Sequence, residues 1–290
     1  MFKRASSCWA RSTVAIAILF WMAAADAQNP PAAAPPPAAQ GQPQPAATDY
    51  DALLAKAAKL YYSSANDGLA GFTCALHPDW HALFVSARPN EAVSPADDRI
   101  VLLNSVKITL HARMKGGSTM DWEQNPDPAK PLDQDSTTLL KDMHAATEQT
   151  LQGFLQFWTP FIDGSAIPQS SAGLDVTQTA SGYILHSKSS DTEVTETIGN
   201  SLLLEHFDVI MSNATVKFAP SYQSSAKGLL VTGFQAQILQ PGNPPEKAQE
   251  MRVGIEYKTV QGFPIPSQLN MQVIGTGIFN FAFDSCTVSK

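Results

Sequence analysis

The sequence predicts an α+β fold: a strongly curved antiparallel sheet, in effect a half-barrel, with one long and one or two shorter helices covering its concave face. Three observations predict it. From residue 174 onward most segments alternate apolar and polar residues, the period of a half-buried strand. These segments follow one another too closely for crossover helices, so they must pair antiparallel. A sheet of about nine or more strands cannot stay flat, and a long amphipathic helix precedes it.

The composition fits a folded domain. The chain has 290 residues, of which 44% are hydrophobic and 16% charged, and its formal net charge is −7. This apolar fraction excludes wholesale disorder. The acidic balance argues against a protein that grips nucleic-acid phosphates, so no nucleic-acid partner is expected.

Residues 1–27 predict a secretory signal peptide. A positive start with Lys3 and Arg4 precedes an uninterrupted small and apolar run over residues 13–25, and Ala25-Asp26-Ala27 supplies the cleavage pattern. The alternative is a retained membrane anchor, but the run is short of the ~20 residues needed to span a bilayer. We therefore expect a periplasmic or secreted protein that is soluble after cleavage and has no transmembrane segment.

Residues 28–48 predict a disordered linker, because they are rich in proline and alanine and carry no charge before Asp49. Residues 49–290 are then expected to form a single curved-sheet domain. Its first helix is predicted over 48–63, capped by Thr48 or Asp49. The apolar residues on one face of that helix are Leu53, Ala57, Leu60 and Tyr61.

A strand is predicted over 69–76 and a short helix over 80–86. A hairpin follows, since residues 106–114 alternate cleanly, Gly116-Gly117 supplies a two-residue turn and residues 118–122 return. The longest helix is predicted over 136–159, ended by Pro160. Its apolar stripe consists of Leu140, Met143, Thr147, Leu151, Phe154, Leu155 and Trp158.

The C-terminal half predicts eight strands punctuated by glycine and proline. We place them at residues 183–188, 193–198, 202–210, 215–219, 229–239, 251–260, 267–274 and 279–288.

Two cysteines, Cys74 and Cys286, follow the predicted leader, and an even count in an oxidising compartment favours one disulfide over two separate thiols. The alternation of side chains along the two strands argues against this pair. Phe283 and its alternating partners point one way, which places Cys286 on the opposite face, whereas Cys74 shares a face with Phe72. The pair requires a β-bulge between these positions.

No motif for a nucleophilic, metal-dependent or nucleotide-dependent reaction occurs: G-x-S-x-G, H-E-x-x-H, C-x-x-C and the P-loop are all missing. We expect no catalytic residues, no metal and no cofactor. An enzyme whose site is assembled from loops is the minor alternative.

One C-terminal pattern carries a family resemblance. Tyr257 to Leu269 (YKTVQGFPIPSQL) predicts strand, turn with glycine and two prolines, and strand, and Phe279-Asn280-Phe281-Ala282-Phe283-Asp284 predicts an aromatic final strand. This ending, behind a long helix and a signal peptide, resembles the periplasmic lipoprotein carriers LolA, LolB and LppX. The resemblance implies a half-barrel with a helical lid over an apolar cavity that carries acyl chains or lipids without cofactor or covalent chemistry.

The resemblance therefore predicts an exported bacterial binding or carrier protein whose partner is a lipid or an acylated protein, its oligomeric state left open. The alternative is a non-catalytic envelope interaction or scaffold module with a fully packed core. The residues expected to line the cavity, or else to fill that core, are Leu151, Phe154, Leu155, Trp158, Tyr257, Leu269, Met271, Phe279, Phe281 and Phe283.

Overall fold

The structure, a computed structural model, describes residues 49–115, 117–124, 132–164 and 166–290. The predicted leader and linker, and Gly116 of the predicted hairpin turn, lie outside the described residues. Within this part of the chain the fold is α+β, with four α-helices and twelve strands. The helices are α1 Tyr50–Ala58, α2 Trp80–Ala87, α3 Asp98–Asn104 and α4 Gln134–Asp163.

All twelve strands belong to one open sheet. In chain order they are β1 Gly71–Pro78, β2 Lys107–Arg113, β3 Ser118–Glu123, β4 Asp175–Gln178, β5 Gly182–Lys188, β6 Thr192–Gly199, β7 Leu204–Met211, β8 Thr215–Ser225, β9 Gly228–Leu239, β10 Gln249–Val260, β11 Phe263–Val273 and β12 Gly277–Ser289.

The order across the sheet is β3-β2-β1-β12-β11-β10-β9-β8-β7-β6-β5-β4, and every neighbouring pair is antiparallel. The predicted meander therefore forms, and β12 joins it to the N-terminal hairpin through β1. In that hairpin the predicted apolar face is buried: Ile108, Leu110, Ala112 and Met114.

The long helix α4 extends past its predicted end. We expected Pro160 to terminate it, yet the helix continues to Asp163 with Pro160 inside. A proline removes one backbone donor, and here the following residues Phe161 and Ile162 are buried, which offsets that loss. The last carbonyls are satisfied, since Ser64 N donates to Ile162 O at 2.6 Å and Ala65 N to Asp163 O at 3.1 Å.

The first helix is shorter than predicted, because the chain leaves it to bond to the sheet. Asp49 caps α1, with its Oδ1 accepting from Ala52 N at 3.0 Å. After Ala58 the backbone turns so that Tyr62 N donates to Leu229 O at 3.0 Å and Leu229 N to Leu60 O at 2.8 Å. Tyr61 thereby forms a parallel bridge with β9.

Helix α3 was not expected from the sequence.

The two prolines expected in a turn before β11 lie inside that strand. The turn is Gln261-Gly262, both with positive φ, and Pro264 and Pro266 pair with β10. Pairing of β11 with β12 begins only at Gln268. The missing proline N–H groups therefore face a side of the strand that has no partner there.

The disulfide is present. Thr73 pairs with Thr287 but Ala75 pairs with Asp284, so β12 has one extra residue, and Ser285 has a φ of 47°. This bulge reverses the parity of β12 and turns Cys286 to the face of Cys74. The two Cα atoms are 4.1 Å apart and the sulfurs are bonded, which confirms the predicted pair.

Candidate functional site

The candidate site is a cavity of about 610 Å³ between the C-terminal half of α4, residues 166–169 and strands β6, β7 and β8. Small-molecule sites typically enclose ~300–1,000 Å³. Most of its wall is apolar, and the residues that decide its chemistry are Phe157, Phe161, Phe207, Phe218, Leu204 and Glu196.

Helix α4 forms one wall through a face adjacent to its core stripe. Gly153, Phe157 and Phe161 follow one another at four-residue spacing, so they lie on one side of the helix, and all three line the cavity. Gly153 lies one helical turn before Phe157 and contributes no side chain to this wall.

Four phenylalanine rings form a connected cluster beside this wall. The Phe157 ring centroid is 5.2 Å from that of Phe218 in a stacked arrangement and 3.8 Å from that of Phe234. Phe207 and Phe218 are 6.2 Å apart. The cavity is consequently lined by aromatic as well as aliphatic surface.

Among the described residues that line the cavity, Glu196 is the only one with a charged side chain. It occupies the middle of β6, where Val194, Glu196 and Ile198 alternate onto one face. The residue as a whole is half-buried, but its Oε2 atom is buried without a hydrogen-bond partner. Burial in these apolar surroundings raises the pKa of Glu196 to about 7.

Two tyrosines lie close to Glu196 but bond elsewhere. Leu204 N donates to the Tyr61 hydroxyl at 2.8 Å, and the Tyr222 hydroxyl donates to Leu204 O at 3.2 Å. Their rings meet edge to face at 5.3 Å. Burial raises the pKa of both tyrosines, so they are neutral over the physiological range. Neither tyrosine hydroxyl therefore pairs with Glu196.

The residues singled out from the sequence gather in the core under α4. Trp158 and Tyr257 are hydrogen-bonded at 2.8 Å, and the centroids of Trp158 and Phe154 are 6.0 Å apart. Tyr257 is half-buried. The other nine are each less than a tenth exposed: Leu151, Phe154, Leu155, Trp158, Leu269, Met271, Phe279, Phe281 and Phe283.

None of these residues lines the 610 Å³ cavity. Phe279 and Phe281 border a void of about 10 Å³, and Leu155 borders a second cavity of about 350 Å³ together with Met114 and Arg113. The 610 Å³ cavity is lined instead by the neighbouring face of α4 and by strands β6, β7 and β8.

Sequence reasoning missed Glu196, Phe157 and Phe161. Ending the helix at residue 159 removed Phe161 from consideration, and Phe157 lies off the main apolar stripe. A signal for Glu196 was present, since a carboxylate stands between Val194 and Ile198 on the apolar face of an alternating strand.

In the described residues, no group of three or more His, Cys, Asp or Glu side chains could hold a metal ion. No helix in this part of the chain is long and apolar enough to cross a membrane. No protein-family model matches the chain, and no curated protein and no solved structure matches it significantly. The function must accordingly be argued from the site itself.

Proposed function

We propose that the chain is an exported, non-catalytic binding or carrier protein that holds an apolar ligand, a lipid or an acyl chain, in the 610 Å³ cavity. The cavity is the observation that carries this proposal. Each methylene moved from water into such a space contributes ~0.8 kcal/mol, which gives an apolar chain a strong drive to enter.

The same observation favours a binding protein over a scaffold module. The cavity is a mostly apolar recess whose rim residues Gln156, Pro160 and Gln169 are exposed, and removing its apolar wall from water favours an apolar occupant. Gly153 stands at the cavity although alanine or leucine would favour the helix by up to ~1 kcal/mol. A glycine at this place despite that cost supports a cavity that holds a ligand.

The sheet is proposed to curve around α4 as a half-barrel. His144 on this helix stacks on Trp122 of β3, with centroids 5.0 Å apart, and Phe157 stacks on Phe218 of β8. In the sheet, β3 and β8 are seven strand spacings apart, so a flat sheet would separate them by ~34 Å. His144 and Phe157 are only ~20 Å apart along the helix axis. One helix reaches both strands more easily if the sheet curves around it.

Export is part of the proposal. The predicted leader over residues 1–27 directs the chain to the periplasm or the exterior, and a disulfide such as Cys74–Cys286 persists in oxidising compartments. The linker over 28–48 then separates the domain from the start of the exported chain. A carrier of this design needs neither cofactor nor covalent chemistry.

The test is native mass spectrometry of the chain from Gln28 onward, purified without detergent, followed by organic extraction. A co-purifying lipid, or uptake of lipid from vesicles, supports the proposal. Gly153→Leu should reduce uptake at least tenfold, because the new side chain projects on the same side as Phe157. Ala145→Leu, at an exposed position of the same helix, is the matched control. A chain that stays free of ligand after incubation with vesicles overturns the carrier function.

A further inference from the structure

We propose that the cavity selects ligands that carry a protonated amine, with the ammonium group held between the Glu196 carboxylate and the phenylalanine rings and the apolar body in the rest of the space. This inference rests on the proposed function and names the chemical class of its ligand.

The first support is the unpaired carboxylate. Glu196 Oε2 is buried without a hydrogen-bond partner. A buried acceptor left in this state is unfavourable, and more so when it is charged. Among the described residues of the lining there is no lysine, arginine or histidine. The protein thus offers the carboxylate no cation of its own, and a ligand cation would fill that role.

The second support is the aromatic wall. Phe157, Phe161, Phe207 and Phe218 line the same cavity as Glu196, and Phe207 pairs directly with Glu196 across β6 and β7. A ring face attracts an ammonium ion, and most strongly when the cation is desolvated. A cavity that holds a carboxylate together with aromatic rings is therefore complementary to an alkylammonium group rather than to an anion.

Other polar ends fit less well. An alcohol can donate one hydrogen bond to Glu196 but brings no charge to neutralise the carboxylate. A fatty acid brings a second negative charge into the same apolar space, which is unfavourable unless one of the two acids is protonated. The geometry thus ranks an amine above an alcohol and an alcohol above a carboxylate at pH 8.

The preference should depend on pH in a direction set by Glu196. The neighbours that face this carboxyl are Tyr61 and Tyr222, which stay neutral, while α4 and residues 166–169 present no titratable group to the cavity among the described lining. The bulged residue Glu205 is exposed on β7. An alkylamine with a pKa of about 10 stays protonated from pH 5.5 to 8.

Binding of the amine therefore requires the ionised form of Glu196. With a pKa of about 7, ionisation rises from a few per cent at pH 5.5 to about nine-tenths at pH 8. The amine affinity should rise about thirtyfold over that range. Octanol should show no such rise, and octanoate should bind better at the lower pH.

The experiment is isothermal titration of the delipidated chain with octylammonium, octanol and octanoate, whose equal chain lengths leave only the polar end to vary. At pH 8 octylammonium should bind at least tenfold more tightly than octanol. Glu196→Gln keeps the shape of the side chain and should erase both this preference and the pH dependence of amine binding, while octanol still binds. Glu205→Gln is the matched control and should behave as the wild type.

The outcomes separate the two proposals. If octanol and octanoate bind, Gly153→Leu blocks them and octylammonium has no advantage, the amine preference is overturned and the carrier function stands. If octylammonium binds but Glu196→Gln leaves its affinity unchanged, the amine site is likewise overturned. If no probe binds and no lipid co-purifies, the carrier function itself fails.

Discussion

Trp158 Nε1 donates a hydrogen bond of 2.8 Å to the hydroxyl oxygen of Tyr257, and that hydroxyl donates one of 2.6 Å to the carbonyl of Val231. This relay joins the C-terminal part of α4 to β10 and then to β9. Burial raises the pKa of Tyr257, so its hydroxyl keeps the proton that the second bond requires. The relay fixes the helix that forms one wall of the cavity against the sheet.

Replacing Tyr257 by phenylalanine should lower the free energy of unfolding by ~1–3 kcal/mol, because the indole N–H and the Val231 carbonyl are both left unpaired in the core. Urea denaturation followed by tryptophan fluorescence measures the change. Tyr183→Phe is the matched control, since the Tyr183 hydroxyl makes no hydrogen bond with the described residues. If both variants lose the same free energy of unfolding, the hydrogen bonds from Trp158 and to Val231 add nothing to the effect of removing a tyrosine hydroxyl.

The disulfide should stabilise the fold by closing a long loop. Cys74 and Cys286 are 212 residues apart, for which loop-closure entropy gives an upper figure of about 5 kcal/mol. The double variant Cys74→Ser/Cys286→Ser should therefore unfold at markedly lower urea concentration. Alkylation of the unreduced, unfolded chain from Gln28 onward should modify no cysteine, and two after reduction. Modification before reduction would contradict the pairing.

Gly228 allows the 60–62 segment to lie against β9. Its φ is +124°, and a Cβ there would meet the Tyr61 carbonyl carbon and the Tyr62 nitrogen at 2.8 Å. Gly228→Ala should displace this segment, and with it the Tyr61 hydroxyl that accepts from Leu204. We expect a loss of more than 2 kcal/mol together with weaker ligand uptake.

Gly242→Ala provides the matched control, because Gly242 also has a positive φ, +78°, but nothing lies within 4 Å of an added Cβ. Backbone strain alone should then cost ~1 kcal/mol. Thermal unfolding of the two variants compares the costs, and a Gly242→Ala loss as large as that of Gly228→Ala would show that the close approach has no effect.

The sequence predicted the sheet well because strand alternation is local. The faces of β2, β10 and β11 follow directly from residues such as Ile108, Val253 and Leu269, all of which are buried. The bulge at Ser285 depends on the pairing of β12 with β1, which local sequence patterns do not reveal. The proposed cysteine pair did require a bulge between these positions.

The cavity was harder to predict for a related reason. An amphipathic stripe indicates which helix face is buried but not whether the neighbouring space is filled. Trp158 and Phe157 are adjacent in sequence, yet Trp158 packs in the core while Phe157 borders the cavity. That difference follows from the helix face on which each ring lies and from the sheet strands opposite that face, which only the assembled fold brings together.

Glu196 should make the stability of the unliganded protein pH-dependent. Its folded-state pKa is about 7, above its ordinary value of 4.5, because the buried carboxylate loses hydration. A raised pKa means that the folded state binds the proton more tightly than the unfolded chain. The stabilisation is therefore complete below about pH 4.5 and is lost as the pH rises to about 7.

The loss from this one group should be on the order of 2–3 kcal/mol, since a full pKa unit corresponds to ~1.4 kcal/mol and the residue is only half-buried. Urea denaturation at pH 4.5, 6 and 7.5 measures it. Glu196→Gln removes the titration and should flatten this part of the profile, whereas Glu205→Gln, on the exposed bulge of β7, should retain the wild-type slope. Parallel profiles for wild type and Glu196→Gln would mean that the carboxyl is hydrated in the folded state, and the cavity would then be an aqueous one.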